Sequence, residues 1–196
     1  KLTGKVFYQW QKSDYEDALP YNYEQLAADL AWQFTPSTAL VGQFGIESDL
    51  SESTSAGGLD SSLWDVGLRW EPDNRTLAEV RYGDRFFGRN YYLNARHRTR
   101  IFEFTATYSE EPTVETQVLS LGESTPGQLP PGVPEGGSGR FNNQPYIAKN
   151  ALVGVTALGS RTRISLTGYQ NVSDCIRFSL QDNTYTGGTF AVTRQV

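Results

Sequence analysis

The chain has 196 residues, of which 38% are hydrophobic, and a formal net charge of −5. The negative charge argues against a nucleic-acid-binding protein, because such proteins neutralise phosphates with an excess of Lys and Arg. No apolar run approaches the ~20 residues that a membrane-spanning helix needs, which excludes a helical membrane protein.

Short segments of alternating apolar and polar residues follow one another along the chain. In the first clear one, Leu26, Leu30 and Trp32 point one way while Asp29 and Gln33 point the other, because successive strand side chains face opposite sides of a sheet. Repeated in segments of about ten residues, this pattern is typical of a transmembrane β-barrel, in which only one side of each strand meets lipid.

The alternation predicts about ten strands, an even number as in single-chain bacterial barrels. In chain order they are Leu2–Gln11, Tyr23–Phe34, Ala39–Asp49, Leu63–Glu71, Thr76–Tyr82, Tyr92–Tyr108, Thr113–Ser120, Ile147–Ala157, Thr162–Asn171 and Gly188–Val196. The predicted fold class is therefore all-β, an antiparallel up-and-down transmembrane β-barrel over a single domain, residues 1–196. The absence of Met predicts a mature product after signal-peptide removal or a portion of a larger barrel.

The predicted connections alternate between two classes. Short ones, rich in turn-forming residues, lie at 35–38, 72–75, 109–112 and 158–161. Longer polar ones lie at 12–22, 50–62, 83–91, 121–146 and 172–187. Because outer-membrane barrels have short periplasmic turns and long extracellular loops, we assign the two classes to those sides. The longest, 121–146, is rich in Pro and Gly and is predicted to be an extracellular loop or a constriction in the mouth.

Aromatic residues next to the predicted short turns give a second indication of a membrane. Trp32, Phe34, Trp70 and Tyr108 form a predicted girdle, because aromatic side chains favour the membrane interface. The alternative is that they are core residues of a soluble β-sandwich.

Residues of the opposite parity are expected to line the barrel interior with charges of both signs. The candidates are Asp29, Glu47, Asp65, Arg69, Glu79, Arg81 and Arg163. Such a lining can hold water and ions, or it can form salt bridges that plug a narrow barrel. The sequence leaves both interpretations open.

Arg96, Arg98 and Arg100 share parity with Phe102 and Phe104 in the predicted strand Tyr92–Tyr108. We therefore expect them on the lipid-facing side, where guanidinium groups would contact the phosphates of lipopolysaccharide. The alternative is a β-bulge near Ile101, which would turn the arginines into the lumen.

Catalytic and metal-binding patterns are weak. His97 is the single histidine, and no nucleophile motif or paired acid accompanies it, so we expect no catalytic residues and no enzyme. Cys175 is the single cysteine, and no Cys/His set has metal-ligand spacing, so neither a metal nor another cofactor is expected.

Three stretches carry a resemblance to a known family: residues 82–88 (Tyr-Gly-Asp-Arg-Phe-Phe-Gly), 96–100 (Arg-His-Arg-Thr-Arg) and 108–113 (Tyr-Ser-Glu-Glu-Pro-Thr). Residues 147–163 and the region 182–188 follow the same family's pattern. The chain resembles the β-barrel outer-membrane proteins associated with PEP-CTERM/exosortase systems, the exopolysaccharide-locus barrel family of Gram-negative bacteria.

The resemblance implies a location in the outer membrane and a function linked to exopolysaccharide production, and it brings no catalytic residues. We expect a channel or an export-associated, porin-like protein that handles polysaccharide or small polar solutes. The alternative is a non-conducting scaffolding barrel that acts through its loops or through subunit contacts in an oligomer. The expected partners are outer-membrane lipid and lipopolysaccharide, and not nucleic acid.

Overall fold

A computed structural model describes residues 1–13, 21–49, 59–113, 146–176 and 182–194. Within these ranges the chain forms one sheet of ten antiparallel strands in sequence order, without helices. The strands are β1 (Leu2–Ser13), β2 (Tyr21–Thr35), β3 (Thr38–Glu47), β4 (Ser61–Asp73), β5 (Thr76–Arg85), β6 (Gly88–Arg98), β7 (Phe102–Thr113), β8 (Tyr146–Leu158), β9 (Thr162–Cys175) and β10 (Asn183–Arg194). Accordingly, the described ranges contain no helix of a length and hydropathy suited to crossing a membrane.

The predicted all-β, up-and-down order is confirmed, but the predicted strand Tyr92–Tyr108 is wrong. The chain reverses direction at residues 99–101, so that this segment belongs to two strands, β6 and β7. The N–H of Thr99 donates to the carbonyl oxygen of Phe102 at 2.7 Å and closes the turn. The short turn predicted at 109–112 is wrong as well, because these residues lie within β7.

The predicted loop at 83–91 is also wrong, and the predicted segments from 113 to 146 lie mostly outside the described residues. The long loop predicted at 83–91 is a tight hairpin, in which only Phe86 and Phe87 separate β5 from β6 and Gly88 adopts a φ of 105°. Gly suits that position, because side chains with a Cβ rarely adopt a positive φ. The predicted strand Thr113–Ser120 and the loop 121–146 fall almost wholly outside the described residues, which resume at Tyr146.

The short connections of the described chain gather at one end of the sheet. Residues 36–37, 74–75, 99–101 and 159–161 join consecutive strands there, and we call it the short-turn end. The connections after β1, β3, β5, β7 and β9 lie at the opposite end, which we call the loop end. This is the separation of short and long connections that the sequence predicts, except that the connection at 86–87 is a short hairpin and the turn at 99–101 replaces the one predicted at 109–112.

The two faces of the sheet differ sharply in chemistry. A row of paired residues on one face, the apolar face, contains Trp32, Leu40, Leu68, Val80 and Leu93. Large side chains on this face are solvent-exposed along the whole sheet; Leu68 is 49% exposed, Val153 61% and Leu166 59%. The intervening residues form the opposite, polar face. A β-sandwich would need a second sheet against the apolar face, and the described residues form only one.

Burial and close backbone approach indicate that the first half of the sheet curls toward its polar face, which we call the concave face. Tyr23, Ala27 and Val41 on β2 and β3 are almost fully buried, although no second layer of the described chain covers them. A Cβ at Gly83, also on the polar face, would overlap the carbonyl oxygen of Trp64 on β4. Curling of a sheet brings the side chains of its inner face together in this way, as in a barrel. The edge strands β1 and β10 are not paired with each other among the described residues.

Candidate functional site

The structure places every predicted interior residue on the polar face. Asp29 lies opposite Gln43, Gln43 lies opposite Asp65, and Arg69 lies opposite Glu79. Alternation along the same strands adds the remaining candidates in β3, β5 and β9, which are Glu47, Arg81 and Arg163. Charges of both signs therefore share one continuous surface, as the period of two along each strand predicts.

A fully buried carboxylate, that of Glu47, lies on this face near the loop end. Its Oε2 accepts hydrogen bonds from the hydroxyl of Tyr23 at 2.9 Å and from Nη2 of Arg85 at 2.5 Å. Its Oε1 accepts from the backbone N–H of Phe86 at 3.3 Å. Nη2 of Arg85 also donates to the Tyr23 hydroxyl at 2.9 Å. We call Tyr23, Glu47 and Arg85 the Glu47 cluster, in which a buried charge is both paired and hydrogen-bonded.

The Glu47 cluster bridges strands that are not neighbours. Glu47 belongs to β3 and Arg85 to β5, and strands two positions apart in a flat sheet are separated by roughly 10 Å. Ser61, the partner of Glu47 on the intervening strand, is small enough for the arginine to reach over it. The curling of the sheet thus brings the two side chains together, and their ion pair in turn holds β3 and β5 in that arrangement.

A second group of charges lies further along the same strands, toward the short-turn end. Glu79 accepts hydrogen bonds from Nε of Arg69 at 2.6 Å and from Nε of Arg81 at 2.5 Å. Arg81 also lies 3.6 Å from the carboxylate of Asp65. We call these four residues the Glu79 cluster. Each cluster contains as many acids as arginines, so both are electrically neutral.

Sequence reasoning missed Arg85 and Tyr23. Arg85 lies in a segment that the sequence predicted to be a loop, and Tyr23 was not among the polar candidates. The signal was alternation along each strand: Arg85 shares a face with Glu79 and Arg81 on β5, and Tyr23 shares a face with Asp29 on β2.

The polar face changes character from β7 to β10. It carries hydroxyl and amide side chains, and most of those on β10 are exposed. Tyr169 and Tyr185 stack here, with ring centroids 5.8 Å apart and ring planes at 28°. The polar-face residues of this part include Thr105, Thr107, Ser109, Asn150, Thr156, Ser165, Thr167, Asn171, Ser173 and Thr189.

The lipid-facing position predicted for the arginines is wrong. Arg96 lies opposite Thr105 and Arg98 opposite Glu103, which places both on the polar face at the short-turn end. The turn at 99–101, and not a β-bulge, separates them from Phe102, while Arg100 lies in the turn itself. The expected contact of this stripe with lipopolysaccharide therefore loses its geometric basis.

Three of the four residues predicted to form an aromatic girdle share one face and one end of the sheet. Trp32, Phe34 and Trp70 lie on the apolar face near the short-turn end, with the Trp32 and Phe34 rings 6.1 Å apart. Tyr108 is displaced: it lies in the middle of β7 and donates a hydrogen bond to Glu110. Phe102 and Phe104 occupy the level expected for it.

A further aromatic group lies on the apolar face toward the loop end. The ring centroids of Trp64 and Tyr82 are 6.2 Å apart, and those of Tyr82 and Tyr91 are 5.4 Å apart. The apolar face therefore carries aromatic side chains toward both ends, and the residues between them are mostly aliphatic, with Tyr108 as an exception.

The single histidine is hydrogen-bonded to a neighbouring hydroxyl group. His97 Nδ1 and the hydroxyl of Thr76 are hydrogen-bonded at 2.9 Å on the apolar face. Within the part of the chain that the structure describes, no group of three or more His, Cys, Asp or Glu residues could hold a metal ion. Comparison of the chain with protein-family models, with curated proteins and with solved structures finds no match. The chemistry of the two faces is therefore the basis for assigning a function.

Proposed function

We propose that this chain forms the wall, or part of the wall, of a transmembrane β-barrel in the outer membrane of a Gram-negative bacterium. The exposed apolar face supports this proposal most directly. In water, a contiguous apolar surface larger than a few hundred Å² is a liability for aggregation, whereas in a bilayer it is the required lipid contact. The barrel would close through its edge strands, because a free edge leaves backbone groups unpaired in hydrocarbon.

Strand lengths and aromatic positions fit the same proposal. The shortest described strands have 10 residues, and a tilted strand crosses a bilayer with about 9–11. The aromatic side chains at both ends of the apolar face correspond to the two interfaces of a membrane. By analogy with outer-membrane barrels, the short-turn end would face the periplasm and the loop end the exterior.

Within that barrel, we propose a porin-like channel or export function along the polar face. The hydroxyl and amide side chains of β7 to β10 can each donate and accept hydrogen bonds, which suits hydrated polar solutes. The resemblance to exopolysaccharide-locus barrels suggests polysaccharide, or the small polar solutes associated with its production, as the cargo.

Conductance of the folded full-length protein in planar bilayers tests this function. We expect discrete conductance steps, and a lower step size for Thr167→Trp, which adds bulk to the polar face. The matched control is Leu166→Trp, one residue away on the apolar face, which should leave the step size unchanged. Folded protein that inserts without conducting, or equal effects of the two variants, would contradict the channel.

The ion-pair clusters favour a second candidate, a closed scaffolding barrel. Glu47, Arg85, Glu79 and their partners occupy the concave face and could fill a narrow lumen, as side chains do in small barrels. This candidate predicts that wild-type protein inserts into the bilayer without conducting. It also predicts that the double variant Glu79→Gln/Arg81→Ala, in which the Glu79 cluster is broken, does conduct.

A further inference from the structure

Positive charge is concentrated at the short-turn end of the sheet. The described turns after β4, β6 and β8 each contain an arginine: Arg75, Arg100 and Arg161. The adjoining chain adds Lys1, Arg96, Arg98, Arg163 and Arg194. Acidic residues are fewer at this end; they are Glu71, Asp73 and Glu103.

Three of these arginines lie on the polar face. Arg96, Arg98 and Arg163 are exposed, and none of the ion pairs in the described ranges includes them. Two acidic side chains of the described chain share this part of the face: Glu103, which is opposite Arg98, and Glu71, which alternates with Arg69 along β4. The three arginines therefore leave a net positive charge on the polar face near the short turns.

The acidic residues elsewhere in the described chain do not cancel that charge. Both clusters are neutral, and Asp29 lies opposite Lys5 on β1. At the loop end, most acidic strand residues point away from the polar face. These are Glu24, Asp84, Glu110 and Asp174, while Glu111 is on the polar face.

We infer that the polar face selects anions at its short-turn end, and that the solutes of the proposed channel include small molecules with carboxylate or phosphate groups. This inference depends on the proposed channel function. A low-dielectric wall focuses the field of its charges into the lumen, and rings of Arg or Lys select anions in known pores. Guanidinium groups also match carboxylate and phosphate oxygens with paired N–H donors.

The zero-current potential across a KCl gradient measures this selectivity. In bilayers of neutral lipid we expect wild-type protein to pass chloride several-fold better than potassium. Combining Arg96→Gln, Arg98→Gln and Arg163→Gln should bring the permeability ratio close to one without abolishing conductance. The preference should weaken as salt rises, because the Debye length falls from about 10 Å at 0.1 M to about 3 Å at 1 M.

A charge-matched control separates the face from the turns. Combining Arg75→Gln, Arg100→Gln and Arg161→Gln removes the same charge from the short turns, and we expect a clearly smaller change in the permeability ratio. Equal changes in the two triple variants would overturn the assignment to the polar face.

Failure of the channel and failure of this inference give different results. Wild-type conductance without anion preference overturns the inference and leaves the channel intact. If folded protein does not conduct, the channel fails, and calorimetric titration with pyrophosphate in detergent decides the inference. Binding that weakens at least tenfold in the Arg96, Arg98 and Arg163 triple variant would support an anion site on this face, and absence of binding would refute it.

Discussion

The polar face has the same alternation in β2–β5 as in β8–β10, yet the two regions differ in burial. In β2–β5 it carries residues such as Glu47, Glu79 and Ala27, which are almost completely buried. On β10 nearly every residue of both faces is exposed. Parity assigns a side chain to a face, but curvature and ion pairing decide whether it is shielded. Stability should therefore be concentrated in β2–β5, and openness in β8–β10.

Among tests of this difference, Arg85→Ala should have the largest effect on stability. The substitution leaves the buried Glu47 carboxylate without its cation, and loss of one partner of a buried ion pair costs about 3–5 kcal/mol. Urea titration of the folded protein in lipid vesicles measures the free energy of unfolding. The matched control is Arg163→Ala in β9, an exposed arginine without an ion pair, which should change it by no more than about 0.5 kcal/mol. Equal losses of unfolding free energy in the two variants would mean that the two regions do not differ in this way.

The next test concerns the two faces of β9, which are both accessible but face different solvents in the proposed barrel. Leu166→Arg places a charge on the apolar face, where the cost near the bilayer midplane is about 2–4 kcal/mol. Thr167→Arg places the same charge on the adjacent, polar side and should cost much less. The same unfolding measurement applies to both variants. If Thr167→Arg were the more damaging, the assignment of lipid to the apolar face would be wrong.

A smaller loss of stability is expected when a side chain is added where β4 and β5 approach closely in the first half of the sheet. In Gly83→Ala the new Cβ would overlap the backbone carbonyl of Trp64, and overpacking of this kind costs about 1–3 kcal/mol. A Cβ at Gly168 in β9 meets nothing within 4 Å, so Gly168→Ala should be neutral or stabilising by about 0.5–1 kcal/mol. Differential unfolding in urea compares the two. Similar free energies of unfolding for the two variants would mean that β4 and β5 shift to accommodate the new Cβ without loss of stability.

The sequence predicts the faces of the sheet well, because a period of two is a local property. It hides the turn at 99–101, since Thr99, Arg100 and Ile101 include none of the usual turn residues. The Thr99 hydroxyl instead accepts a hydrogen bond from the N–H of Phe102 at 2.9 Å. Arg98 and Phe102 are both even-numbered, so alternation appears continuous across the turn. The sequence does carry one indication of the turn: the even-numbered positions change from arginine, up to residue 100, to phenylalanine from residue 102.

The Glu47 cluster could not have been derived from local pattern. Gly83, Asp84 and Gly88 suggest a loop, whereas the structure has a hairpin with two connecting residues. The bridge from Arg85 to Glu47 passes over a whole strand, so it depends on curvature that the register of β3, β4 and β5 creates together. Pairing at that range is a tertiary property.

The smallest effect should come from the ion pair of the second half. Lys149 Nζ lies 2.5 Å from Asp174 Oδ2, as close as Arg85 lies to Glu47, but both side chains are more than one-third exposed. The pair lies at the loop end of β8 and β9, where water can screen it, and exposed ion pairs contribute about 0.2–1 kcal/mol. Asp174→Asn should therefore cost less than about 1 kcal/mol in the urea titration, and high salt should remove the difference from wild type. Since the two pairs match in distance, a cost near that of Arg85→Ala would show that separation, and not burial, sets their strength.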